Sequence, residues 1–125
     1  MRASPAWTNP SSNRPATTAD QTPIAPGRRV SDITRGGRRI ARFVSEAPIR
    51  DKFSVQSARY AEKHRQHNGV DLAVYYHPAH AWNVDRMLDA LPPSLDYYRS
   101  AFGPYQFSHV RIVEYPGYTG FAQAF

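Results

Sequence analysis

Seven apolar residues, Val84, Met87, Leu88, Leu91, Leu95, Tyr98 and Phe102, recur at spacings of 3, 1, 3, 4, 3 and 4. That is the single stripe of an amphipathic α-helix. Asn83 stands where an N-cap would, Asp85 suits the first turn, and Gly103-Pro104 ends the run, because glycine accepts the left-handed cap and proline cannot continue a helix. Pro92-Pro93 falls in the middle. An interior proline costs on the order of 3 kcal/mol, so the expectation here is a kink or two short helices. Elsewhere the period is two. Residues 38–44 read as a strand ended by the Pro48 region, and residues 53–63 as a second. Val70, Leu72, Val74 and Tyr76 alternate with Asp71, Ala73, Tyr75 and His77 to give a third strand closed by Pro78. The second and third strands meet at His67-Asn68-Gly69, which is hairpin chemistry. Residues 110–115 form a last run of β-branched and aromatic type, closed by Pro116-Gly117. Residues 1–27 show neither period. With five prolines, seven serines and threonines and few aliphatics, they bury too little surface to offset their ordering entropy and are expected to be disordered. The pattern predicts an α+β fold: a disordered N-terminal tail, several strands, one kinked helix and a further strand.

Composition narrows the function classes. At 125 residues the chain allows one domain at most. It has no cysteine, which rules out disulfides and thiolate metal sites and leaves the redox compartment undetermined. No apolar run approaches the ~20 residues that span a bilayer, and the first residues lack the apolar core of a secretory signal. The chain itself is expected to be soluble. The net charge of +6 belongs entirely to residues 1–50, whereas residues 51–125 carry seven charges of each sign. The high pI therefore says little about the folded part, and no nucleic-acid partner is expected. Within residues 28–42 six arginines, Arg28, Arg29, Arg35, Arg38, Arg39 and Arg42, face one aspartate. They read first as a solvated linker followed by an exposed strand face. The alternative is an anion-binding patch for phosphate or an acidic membrane surface. No aromatics are interleaved with them for base stacking.

Candidate chemistry is sparse. Two histidines four apart on a helix, with a glutamate beside the first, would share one face and leave a water position open on zinc, but no His-Glu-x-x-His occurs in the chain. His77-x-x-His80 is interrupted by Pro78, and His64 and His67 fall in an expected turn, so none of these is read as a metal site. There is no Gly-x-Ser-x-Gly elbow, P-loop or dinucleotide fingerprint. Asp85, Asp89 and Asp96 lie on the polar side of the helix and are expected to be solvated. Residues 118–125 are aromatic and uncharged, without the polar ending usual for a chain terminus. The domain is accordingly expected to be incomplete, with apolar area exposed on the helix stripe and the last strand and with marginal stability as the consequence.

Several motifs in order carry a family resemblance. They are Phe53-Ser-Val-Gln-Ser-Ala-Arg-Tyr60, Asp71-Leu-Ala-Val-Tyr-Tyr-His-Pro78, Asn83-Val-Asp-Arg-Met87, the helix end Phe102-Gly-Pro-Tyr105, the strand Val110-Arg-Ile-Val-Glu114 and the loop Phe121-Ala-Gln-Ala-Phe125. Over residues 40–125 or so the chain resembles zinc aminopeptidases of the alanyl aminopeptidase (gluzincin) family, in particular the branch fused to bacterial ABC-type transporter permeases. The resemblance implies a tail over residues 1–36, the end of an N-terminal β-sandwich over 37–80 and the start of the catalytic domain over 81–125. It implies that the zinc motif lies beyond the last residue, so that this chain is an inactive fragment with no cofactor of its own. Zinc, a peptide substrate and a membrane permease module belong to the full-length, membrane-associated relative. By carry-over, Gly120, Phe121, Ala122, Gln123 and Phe125 line the substrate cleft as an edge that pairs with the peptide backbone. Gln123 stands where better-known members place a glutamate for the peptide amine, and its amide can accept a hydrogen bond but supplies no charge. Phe121 and Phe125 read equally as core residues lacking their other half. Two further functions stay open, a non-catalytic peptide-binding module and an anion-binding protein acting through Arg28 to Arg42.

Overall fold

A computed structural model describes residues 7–8, 12–50, 53–115 and 117, and the chain is α+β. It divides into two compact units, one taking the described residues up to Ala58 and the other those from Arg59 on.

The first unit is all strand: β1 (Trp7–Thr8), β2 (Ser12–Asn13), β3 (Ala16–Thr18), β4 (Thr22–Ile24), β5 (Arg28–Arg35), β6 (Arg38–Val44), β7 (Ile49–Arg50) and β8 (Gln56–Ala58). Strand β6 matches the expected span to the residue and organises the unit. It pairs antiparallel with β5 along one side and with β2 and β3 in succession along the other, while β1 pairs with β7 and β4 with β8. Alternation along β6 turns Ala41 and Phe43 inward, both 0% exposed, against Ala25. Gly27 lets the chain cross this core. Its φ is +97°, and a Cβ there would lie 2.6 Å from the backbone carbonyl of Val44, so no other residue fits without moving β6.

The same face holds a charged cluster. Asp32 accepts hydrogen bonds from Arg39 Nε (2.8 Å) and Nη2 (2.7 Å) and from Arg29 Nη1 (3.0 Å), and Arg39 Nη1 donates to Thr22 Oγ1 at 2.7 Å. The Arg39 hydrogen bonds hold the Asp32 carboxyl below its ordinary pKa against the opposing effect of burial. A depressed carboxylate pKa contributes stability that is present above the ordinary value and lost as pH falls through the folded one. Urea midpoints of this unit should therefore drop as pH falls below about 4. Asp32→Asn should flatten that profile and cost about 1–3 kcal/mol at pH 7 by leaving two arginines uncompensated. An unchanged profile in the variant would remove Asp32 from the acid response.

Order here reaches further back than the sequence predicts. The reading of residues 1–27 as disordered, and of 1–36 as a tail, is revised over residues 16–35, where β3, β4 and β5 lie and Thr22 to Gly27 are buried. Residues 1–6 and 9–11 are outside the described set. Three-residue strands are too short to show a period, and what holds them is pairing to β6 and β8, which local composition does not display.

The second unit comprises β9 (Ala61–His67), β10 (Val70–Tyr76), a 3-10 segment (Pro78–Asn83), α1 (Val84–Phe102) and β11 (His109–Val113). Strands β9 and β10 form the expected hairpin, with Asn68 and Gly69 at φ 48° and 80°. Such paired positive φ values suit the twist of a two-residue hairpin loop, and asparagine and glycine tolerate them best. The chain then crosses through α1 and returns as β11, parallel to β10, giving the order β11-β10-β9. Leu72, Val74, Val84 and Leu88 form the buried core between sheet and helix, with Leu91, Leu95, Val110 and Ile112 packed around them. Because β10 lies in the middle of its sheet, its other face is buried too. Tyr75 is 1% exposed, with the Tyr60 and His64 rings edge-on at 6.2 and 6.1 Å.

Four details differ from expectation. The second strand divides into β8 and β9, which puts His64 and His67 on a strand and not in a turn. The helix runs unbroken for 19 residues through Pro92 and Pro93, so two short helices are excluded. Asn83 precedes α1 without a side-chain cap bond. Instead the His77 side chain accepts from the Ala79 N–H at the start of the 3-10 segment. The boundaries expected after residues 36 and 80 also move. The first would part β6 from β5, and the second would part β10 from the helix and strand that complete its core, whereas the units divide after Ala58.

The aspartates on the polar side of α1 are not simply solvated. Lys63, Arg65 and His67, alternate residues of β9, meet Asp85, Asp89 and Asp96 at 2.6, 2.6 and 2.8 Å. The strand period of two and the helix spacings of four and seven advance together, so β9 and α1 are laced along one side. As solvent-exposed pairs they add little stability. The expected exposed apolar area is present at the far end of the stripe, where Tyr98 and Phe102 are 57% and 79% exposed.

Candidate functional site

In sheets with parallel strands, ligands gather at the carboxyl ends, where loops leave the sheet. Here the carboxyl ends of β10 and β11 bring together His77, His80 and Trp82 from the segment after β10, Glu114 from the end of β11, and Tyr60 from the approach to β9. The Glu114 N–H donates to the Tyr75 carbonyl at 2.8 Å, which continues the parallel ladder one residue past β11 and fixes where the side chain starts. One Glu114 carboxylate oxygen then accepts from the His77 backbone N–H at 2.5 Å, and the other is joined to His80 Nδ1. The Tyr60 hydroxyl donates to the Glu114 carbonyl at 3.1 Å.

The electrostatics follow from this arrangement. Partial burial pushes the Glu114 carboxyl upward, but the His77 N–H, the His80 hydrogen bond and the neighbouring imidazoles outweigh it, so the net shift is downward. Glu114 is therefore ionised at neutral pH. Burial, and secondarily the Glu114 charge, pushes the Tyr60 phenol up, so Tyr60 stays a donor. The His77 and His80 rings lie 5.0 Å apart, and Trp82, 78% exposed, lies 5.1 Å from His80. The result is an anchored carboxylate beside an exposed indole, a setting suited to a cationic or amphipathic group.

Among the described residues no group of three His, Cys, Asp or Glu is arranged to hold a metal, and His77 Nδ1 accepts from the Ala79 N–H at 3.2 Å. His64 is taken up by Asp71 and Glu62, and His67 by Asp96. No His-Glu-x-x-His occurs in the sequence.

The residues carried over as substrate-lining, Gly120, Phe121, Ala122, Gln123 and Phe125, lie outside the described residues. Described structure reaches Tyr115 and then Gly117, and Glu114 precedes Gly120 by six positions in the sequence. Sequence reasoning had noticed His77 and His80 as a pair but not Tyr60, Trp82 or Glu114. The missing signal was topological, because only the parallel return of β11 sets residue 114 beside residue 77.

The six arginines separate into two groups. Arg29 and Arg39 are bound to Asp32, and Arg28 pairs with Glu46 at 3.3 Å. Arg35, Arg38 and Arg42 are exposed, and among the described residues their side chains make no hydrogen bond or ion pair. Among the described residues no helix is long and apolar enough to cross a membrane. No protein-family model matches the chain, and no curated protein matches it.

Proposed function

We propose that the chain is part of a zinc aminopeptidase-like protein, supplying a peptide-binding edge without the catalytic metal. The observation that carries this reading is the β10-α1-β11 crossover, whose parallel return delivers Glu114 to the carboxyl ends of two strands. Four of the six motifs that carry the family resemblance, Asp71 to Pro78, Asn83 to Met87, Phe102 to Tyr105 and Val110 to Glu114, fall on these elements or at their ends. In the full-length relative, zinc would activate the hydrolytic water. In this chain the residues bind and orient only. The segment that follows β11 in the sequence would offer main-chain hydrogen bonds to a peptide as an added strand, and the ionised Glu114 supplies the negative charge that Gln123 lacks.

Two measurements test the two halves of the proposal. The purified chain with added zinc is expected to show no turnover of an aminoacyl-amide, and zinc-dependent hydrolysis would overturn its non-catalytic role. Titration with short peptides bearing a free amine is expected to shift the amide resonances of Glu114, Tyr115 and Gly117, with weaker binding by Glu114→Gln. Silence at those amides would remove the peptide edge. A second reading, a peptide-binding module unrelated to any peptidase, shares the same edge and would survive the first result.

A further inference from the structure

Residues directly opposite one another in an antiparallel pair project to the same side of the sheet. The register Arg35↔Arg38, Ile33↔Ile40 and Ser31↔Arg42 therefore sets these six on one face, joined by Ala16 and Thr18 of β3 opposite Ile40 and Arg38. The other face is the one that buries Ala41 and Phe43 and holds Asp32 between Arg29 and Arg39. Asp32 is the one carboxylate in β3, β5 and β6. The outer face therefore carries Arg35, Arg38 and Arg42 with no acid from these strands, and Arg28, opposite Val44 at its far end, is paired with Glu46. It also carries Ile33, an aliphatic side chain 53% exposed amid the charges.

We propose that this face docks on an anionic phospholipid surface. Charge and geometry together favour that occupant. Arg38 and Arg42, four residues apart on a strand, start ~13 Å from each other, with Arg35 ~5 Å across from Arg38. Such a spread does not bring all three guanidinium groups to one phosphate. It does match a field of headgroups, with Ile33 and Ile40 between the charges to meet the acyl boundary. No aromatic side chain lies on the face, so it has no platform for stacking nucleobases. The proposal is independent of the peptide edge, which lies in the other unit.

The test is co-sedimentation of the full chain with vesicles of phosphatidylcholine alone or mixed with phosphatidylserine. Binding is expected only to the mixed vesicles, falling as salt rises. The triple variant R35Q/R38Q/R42Q should lose about five-fold in partition per arginine, or about a hundred-fold together. R35K/R38K/R42K should keep most of the binding, and Ile33→Ser should weaken it. A charge-matched control in the other unit, R65Q/R86Q/R99Q, should bind almost as the parent does. Equal losses in control and triple variant, or equal binding to both vesicle types, would overturn the proposal. Displacement by inorganic phosphate at constant ionic strength would also overturn it, replacing a membrane face with an ion site. So would tighter binding of a single-stranded oligonucleotide that competes with the vesicles.

Discussion

Leu88→Ala is expected to abolish cooperative unfolding of the strand–helix–strand unit at room temperature. Leu88 is 1% exposed and sits among Leu72, Val74 and Val84, where the helix presses on the sheet. Truncating a buried leucine costs about 2–5 kcal/mol, the transfer term plus the cavity it leaves. A unit of about sixty residues has only a few kcal/mol in total, so the loss is comparable with the whole. No alternative support compensates. The ion pairs between β9 and α1 are solvent-exposed and contribute little, and the lower end of the stripe, at Tyr98 and Phe102, packs on little. Amide exchange of β10 is the direct readout. In the parent these central amides should be the slowest of the unit, and in Leu88→Ala they should exchange as fast as those of the Asn68-Gly69 turn. Retained protection would mean that the helix contributes less to this core than its burial implies.

What could be read from the sequence was what repeats over a long enough span. Strand β6, strand β10, the Asn68-Gly69 hairpin and the helix stripe each carry a period over seven residues or more, or a turn with specific φ requirements, and each was found where expected. Strands β3 and β4 are three residues each. Their stability comes from partners distant in sequence, and Pro23 within β4 argued against them locally. The same limit hid the site. Glu114 looks like an ordinary strand residue until the parallel register fixes it beside His77 and His80. The arginines were visible as a cluster, but a charge run cannot show which members are spent on Asp32 and Glu46 and which point away. Pairing register decides that, and register is a tertiary fact.

Pro93→Ala is expected to stabilise the same unit, against the usual direction for a substitution. The unbroken course of α1 through Pro92 and Pro93 means that the helix bears the full proline penalty in its interior. Neither ring nitrogen has a hydrogen to give the carbonyls of Leu88 and Asp89, and each ring crowds the preceding turn. Alanine at such a position is favoured by about 3 kcal/mol, less the ~0.4–1 kcal/mol by which proline stiffens the unfolded chain. The net gain of about 2 kcal/mol corresponds to a midpoint rise on the order of 10 °C in a unit this small. Pro93 is the better choice of the two because it is exposed and its removal forfeits little packing, whereas Pro92 is half-buried. Combined with Leu88→Ala, Pro93→Ala should restore part of the lost protection, since the two act on the helix by separate routes, packing and backbone. A lower midpoint in the single variant would show that the prolines mark a bend on which the helix depends to keep Leu91 and Leu95 against β10 and β11.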